Sequence, residues 1–361
     1  MPLLGKEGRG EILQSLCQFN WYLPACRYAG ILKFGFSYFM FSIQTTNLTK
    51  SFESLVAVKD LNLEVKTGEI FGLVGPDASG KTTTLRMLCG ILPPDGGDAK
   101  VAGCDIRKEM ESLKEKVGYL PQRFGLYGDL TVLENIHFYA DLYQVSKKSR
   151  IDRIERLLQF ANLKPFGKRK AQDLSGGMKQ KLGLICALIH TPQILFLDEP
   201  TTGVDPLSRR DFWVILYDLL KEGVTILFST SYLDEAERCS RIGMIHQGEL
   251  LIADTPSAVK AQMKGKILEL RTESNQRSLR MLEGVESLLG FVLSGDKIHI
   301  LVDDSKEGER VVRDILKAKG VSILDLIVVR PSLEDAFVSI VSSKSPPAYR
   351  QAGIPPFAKG G

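Results

Sequence analysis

Residues 71–90 read FGLVGPDASGKTTTLRMLCG, and the fold turns on this stretch. Phe71 to Val74 is a short apolar run of strand length, and the residues after Lys81 read as a helix. Between them Gly75 to Thr82 has the form G-x-x-x-x-G-K-T, in the strand–loop–helix context that the motif requires. Gly75 and Gly80 bracket Pro76, Asp77, Ala78 and Ser79, and they let the backbone curl until successive N–H groups point inward at phosphate oxygens. Lys81 adds a point charge for the β- and γ-phosphates, and the helix N-terminus favours the anion further. Thr82, followed by Thr83, offers a hydroxyl to Mg2+.

About a hundred residues on, ILFLDEP (194–200) reads as a buried strand ending in two carboxylates. Asp198 can hold Mg2+ through water, and Glu199 can polarise an attacking water as general base. The nucleotide expected is therefore a triphosphate with Mg2+. The surrounding chain, from Thr45 to about Thr255, alternates short apolar strands with amphipathic helices, the pattern of an open α/β sheet.

Between those two motifs, LSGGMKQ (174–180) precedes a helix that runs into the second strand. Two glycines at a helix N-terminus make a further anion nest. Here the chain resembles the ABC ATPases, whose LSGGQ signature has this form and place. The resemblance covers roughly residues 44–255 and implies a P-loop cassette with a helical subdomain, binding ATP and Mg2+. It implies that Ser175, Gly176 and Gly177 clamp the γ-phosphate bound by the opposite subunit. It places Phe52 against adenine, Gln122 at the Mg2+-sensing glutamine that faces a transmembrane partner, and Asp205 in the loop GVD (203–205).

Two positions depart from the family pattern. Ala78 stands where a glycine is usual. Ser231, in STSYLDEAERC (229–239), stands where most members carry a switch histidine, and His137, His190, His246 and His299 all fall elsewhere in the sequence. Losing one positioned donor typically costs about 10²–10³ in rate. With Glu199 retained, the expectation is a slow site in which Ser231 replaces the histidine.

GPDASGKTT, LPQRFGLYGDLTV, LSGGMKQKLGL and STSYLDEAERC are together similar to the first cassette of YbhF-type multidrug-efflux ATPases. This implies type-two permease subunits as partners and a peripheral position on the cytoplasmic face of the membrane. In that group a second cassette follows and keeps the histidine. Here RPSLEDAFVSIV (330–341) is similar to the close of the group's C-terminal domain, so the second cassette is expected in a separate subunit, or lost. A homodimer would carry Ser231 at both sites. The rival class, a soluble ABC ATPase acting on ribosomes or DNA, usually has twin cassettes or a long coiled-coil arm, and Leu142–Lys170 is too short for one.

After Thr255 the pattern changes to strand, helix, strand, strand, helix, strand, which suggests a ferredoxin-like α+β unit over 256–340 with a dimer-stabilising role. Residues 341–361, rich in Pro and Gly, read as a disordered tail. Residues 1–43 show no clear period. They stand either as an N-terminal extension or, up to residue 39, as a misplaced start, with Met40 opening a natural first strand. The stretch from Gly30 to Ile43 contains Lys33 and falls short of the roughly 20 apolar residues of a membrane span. A net charge of +4 gives no footing for nucleic acid as a partner. Six cysteines without a C-x-x-C pair read as reduced thiols.

Overall fold

The computed structural model describes residues 40–123, 125–263 and 265–344. The readings above for residues 1–39, Cys17, Cys26 and 345–361 lie outside the described residues.

An antiparallel layer comes first: β1 (Phe41–Phe52), β2 (Leu55–Leu61), β3 (Glu64–Lys66), β5 (Gly96–Val101) and β6 (Cys104–Asp105), in the order β2-β1-β5-β6 with β3 on β1. The central sheet runs β11-β10-β4-β9-β8-β7. Its strands are β4 (Ile70–Val74), β7 (Val117–Leu120), β8 (Ile194–Asp198), β9 (Thr225–Thr230), β10 (Arg241–His246) and β11 (Glu249–Asp254). All neighbours pair in parallel except β10 and β11. Strands buried on both faces must be apolar throughout, which is why IFGLV and ILFLD carry the sheet.

Period-two alternation sorts these side chains into two cores. Phe71, Leu73, Phe196 and Leu227 face the antiparallel layer and helix α1 (Lys81–Leu88). Ile70, Val74, Leu195, Leu197, Ile226 and Phe228 face the other way, toward the remaining helices. Each fully buried Leu or Phe contributes about 1.5–3 kcal/mol. Helices α2 (Met110–Lys116), α3 (Val132–Leu142), α4 (Lys147–Phe160), α5 (Gly176–Leu188) and α6 (Pro206–Lys221) follow in chain order, then the short α7 (Leu233–Ala236). Thr131 and Glu134 form a reciprocal capping box at the start of α3.

The last segment has α8 (Pro256–Ala261), then β12 (Lys266–Thr272), α9 (Asn275–Leu282), β13 (Leu288–Ser294), β14 (Lys297–Val302), α10 (Ser305–Ala318), β15 (Ile323–Val329) and α11 (Leu333–Lys344). Its antiparallel sheet runs β13-β14-β12-β15, with Leu282, Val312 and Leu316 of α9 and α10 on one face.

The first strand begins at Phe41, beside the Met40 opening read from the sequence, and the domain bound at 44 falls inside it, because Phe41 and Ile43 pair with β3. Two further boundaries differ from the sequence reading. The helix after Thr255 belongs with the cassette core, because its Val259 is fully buried there. Residues 341–344 are helical, because α11 continues to Lys344 and lays Leu333, Ala336, Phe337 and Val341 on the cassette core. Among the described residues no helix is long and apolar enough to cross a membrane.

Candidate nucleotide site

The loop after β4 is shaped by close approach. A Cβ on Gly75 would lie 2.2 Å from the carbonyl oxygen of Ile245, so only glycine fits there. Ala78 and Gly80 have φ of 60° and 106°, the region that glycine enters freely and alanine only with strain. No side chain caps the N-terminus of α1, so its N–H groups stay available to an anion.

Lys81 is 4% exposed, and its charge is matched at close range. Nζ donates to the carbonyls of Gly75 and Pro76, each at 2.9 Å, and lies 3.1 Å from Glu199 Oε1. Thr82 Oγ1 donates to Asp198 Oδ1 at 3.0 Å, and Ser229 Oγ donates to the same oxygen at 2.8 Å. Tyr119 OH lies 3.3 Å from Asp198 Oδ2, and burial raises the phenol's pKa. Thr82 and Asp198 make an all-oxygen donor pair at the mouth of the loop. That suits a small hard cation that keeps waters and takes phosphate oxygens as its other ligands, so the residues present fit Mg2+.

Glu199 is the hub of the opposite wall. Its φ is 46°, and its N–H lies 3.2 Å from the Ser229 carbonyl and 3.0 Å from the Ser229 hydroxyl. Gln122 Nε2 donates to Oε2 at 3.2 Å. Ser231 Oγ stands 3.1 Å from Oε1 and 3.3 Å from Asp77 Oδ1, and its single proton serves one of them at a time. The hydroxyl thus sits on the carboxylate that would orient water. The four histidines are elsewhere, and none lines the cleft. His190, for example, is stacked on Tyr143, and burial lowers its pKa to about 4.

A cleft of about 840 Å³ joins these groups. Its floor is Asp77 to Thr83, and Gln122, Glu199 and Ser231 form one wall. Phe52, 46% exposed, flanks it with Leu55, Val56 and Ala57, an apolar side for a base. Gly75, Pro76 and Asp198 sit behind the lining, acting through the contacts above. Ser175, Gly176, Gly177 and Asp205 do not line this cleft. Ser175 caps α5 through Met178 N at 3.3 Å, and Asp205 caps α6 through Ser208 N at 2.9 Å. The two caps are neighbours, since a Cβ on Gly177 would lie 2.4 Å from that of Ser208.

Sequence reasoning missed Ser229, Tyr119, Tyr232 and the apolar run Leu55–Ala57. Ser229 had a readable signal, because ILFS (226–229) pairs with LFLD (195–198) when the two strands are laid in parallel, which places Ser229 opposite Asp198. Tyr119 had none, since its contact depends on the tertiary position of β7.

Residues 58–202 match the ABC transporter family. The chain is 42% identical over 296 residues to the probable multidrug ABC transporter ATP-binding protein YbhF of Escherichia coli (strain K12), covering 80% of this chain and 50% of that one. It therefore spans about half the length of that relative. It is 32% identical over 304 residues to the linearmycin resistance ATP-binding protein LnrL of Bacillus subtilis (strain 168), covering 82% of this chain and 97% of that one. Among solved structures it resembles the dimeric, post-hydrolysis ATP-binding cassette MJ0796 bound to ADP and Pi. The TM-score is 0.54 and the identity 28%, over 59% of this chain and 98% of that one. With its phosphate loop, paired carboxylates and capped signature helix, the chain belongs to the ATP-binding proteins of the ABC transporter family.

Proposed function

We propose that the chain is the ATP-hydrolysing cassette of a drug-efflux exporter, peripheral to the cytoplasmic face of the membrane and attached through separate permease subunits of the type-two exporter class. The names of its relatives support this reading, as multidrug and linearmycin resistance proteins. Lys81 and the N–H groups of residues 77–82 hold the β- and γ-phosphates, and Phe52 meets the adenine. Thr82 and Asp198, with Gln122, would hold Mg2+, which would supply charge neutralisation at the phosphates when bound. Ser175, Gly176 and Gly177, with Asp205, act on the nucleotide of a second cassette, whether a copy of this chain or a different one.

Glu199 accepts the proton of the attacking water. In this structure its Oε1 is shared by Lys81 and Ser231. Because Lys81 serves either Glu199 or phosphate, nucleotide binding frees the carboxylate for water. Ser231 then remains as a short neutral donor where an imidazole would reach further, and the site turns over slowly. The observation that carries this is the Ser231–Glu199 contact at 3.1 Å.

The same contact favours a second reading: a cassette that binds ATP, barely hydrolyses it, and regulates a competent partner. Purification of the chain with its membrane partners separates the two. Partner-stimulated ATP turnover is expected from the first reading, whereas tight ATP binding with no turnover of its own, permease present, selects the second.

A further inference from the structure

Behind the cleft, outside its lining, lies a buried carboxylate that the phosphate chemistry does not use. Glu235 of α7 is completely buried. Its Oε1 accepts a short hydrogen bond from Thr201 Oγ1, and its Oε2 accepts from Thr230 Oγ1 at 2.7 Å. Arg209 Nε stands 3.7 Å from Oε1. Burial raises the Glu235 pKa, while the two hydroxyls and the guanidinium favour its ionised form. A carboxyl group held this deep is costly unless its oxygens keep their hydrogen-bond partners, so it pins the segments that supply those partners.

Those segments are separate parts of the site. Thr230 closes β9: its carbonyl accepts from Gly75 N of the phosphate loop at 3.4 Å, and its hydroxyl accepts from Tyr232 N at 2.9 Å. The next residue is Ser231. Thr201 lies two residues after Glu199, on the loop to Asp205, where its carbonyl accepts from Val204 N at 3.1 Å. Arg209 sits one turn into the helix that Asp205 caps, donating its N–H to the Asp205 carbonyl at 2.9 Å. Its guanidinium lies 4.7 Å from the centroid of the Tyr232 ring.

We propose that Glu235 is a positioning residue that locks the Thr230–Tyr232 turn to the loop running from Glu199 to Asp205. A displacement at Asp205 is thereby transmitted to the Ser231 hydroxyl and its distance from the Glu199 carboxylate. This rests on the ATPase reading given above. None of Thr201, Thr230 and Glu235 lines the cleft, so the effect falls on kcat and leaves the KM for ATP alone.

The test is a double-variant cycle on the full chain with its partners. Thr201→Val and Thr230→Val are each expected to lower kcat by roughly tenfold, the scale of coupling within one buried network, with the KM for ATP within about twofold of the parent. The double variant is expected to be no slower than the worse single variant. Thr201→Ser and Thr230→Ser, which keep the hydroxyl, are expected to run near the parental rate. Multiplicative losses in the double variant, or losses confined to KM, would overturn the proposal. Should the parent bind ATP without turnover, the ATPase reading fails, and amide hydrogen exchange decides the coupling on its own. Thr201→Val must then speed exchange at residues 230–232; unchanged exchange there overturns it.

Discussion

The cassette and the C-terminal unit each bury a charged cluster, and the two clusters are built to opposite ends. In the cassette, Lys81 meets Glu199 at 3.1 Å beside a cleft, with the loop's own carbonyls as further partners. Each of these groups has another partner to turn to when phosphate arrives. In the C-terminal unit, His299 Nδ1 lies 3.0 Å from Asp335 Oδ1, and Nε2 lies 3.3 Å from Glu269 Oε2. Lys297 closes the set on Glu269 at 2.7 Å. Asp335 also accepts from the N–H and hydroxyl of Ser332 at 2.8 and 2.7 Å, capping α11. In the proposed function the first cluster exchanges partners, whereas the second pins α11 to its sheet while the far face of that helix packs on the cassette.

Either cluster can be disabled by a single substitution. The largest effect is expected at Glu199→Gln, which should cost about 10²–10⁴ in ATP turnover while ATP binding is retained. Equal loss of binding and turnover would show Glu199 to be a structural anchor like Asp335. Next, Asp335→Ala strands His299 inside the C-terminal unit. Breaking one partner of a buried pair costs about 3–5 kcal/mol, read as lost hydrogen-exchange protection in α11 and β14, and turnover should survive any refolded fraction.

A smaller effect comes from pH. Asp335, above all, raises the His299 pKa, and Lys297, with His299, keeps Glu269 below its ordinary value. A raised imidazole contributes stability that is complete below its unfolded value near 6.5 and is lost as pH rises through the folded value. The C-terminal unit should therefore protect its amides better at pH 6 than at pH 8.5. Asp335→Asn should flatten that difference, and an unchanged profile would remove His299 from the account. The smallest effect is expected at Ala78→Gly, where relief of the left-handed strain is worth about 1 kcal/mol, seen as a slightly higher melting temperature.

What the sequence made legible follows the reach of each interaction. The proposed phosphate site is local: eight residues from Gly75 to Thr82 contain the turn, the charge and the hydroxyl, so spacing alone brings them together. The strand–helix alternation did the same for the central sheet, because strands buried on both faces must read as ILFLD or IFGLV. Contacts set by tertiary register were harder. That Ser231 would rest on Glu199, or that Glu235 would meet both Thr201 and Thr230, depends on how β8 and β9 lie side by side. Helix α11 misled for a related reason. Its buried residues Leu333, Ala336, Phe337 and Val341 pack on the cassette core, so a boundary drawn from chain order cut it short at 340.

The central claim is that Ser231, as a short donor on Glu199, limits the hydrolytic step. Its most direct measurement is single-turnover ATP hydrolysis by the parent chain and by Ser231→His, each alone and in the Glu199→Gln background. A gain of about 10² with unchanged ATP affinity is predicted for Ser231→His, and it should vanish when Glu199 is replaced. An equal rate in parent and histidine variant, or a gain that persists without Glu199, would contradict the account.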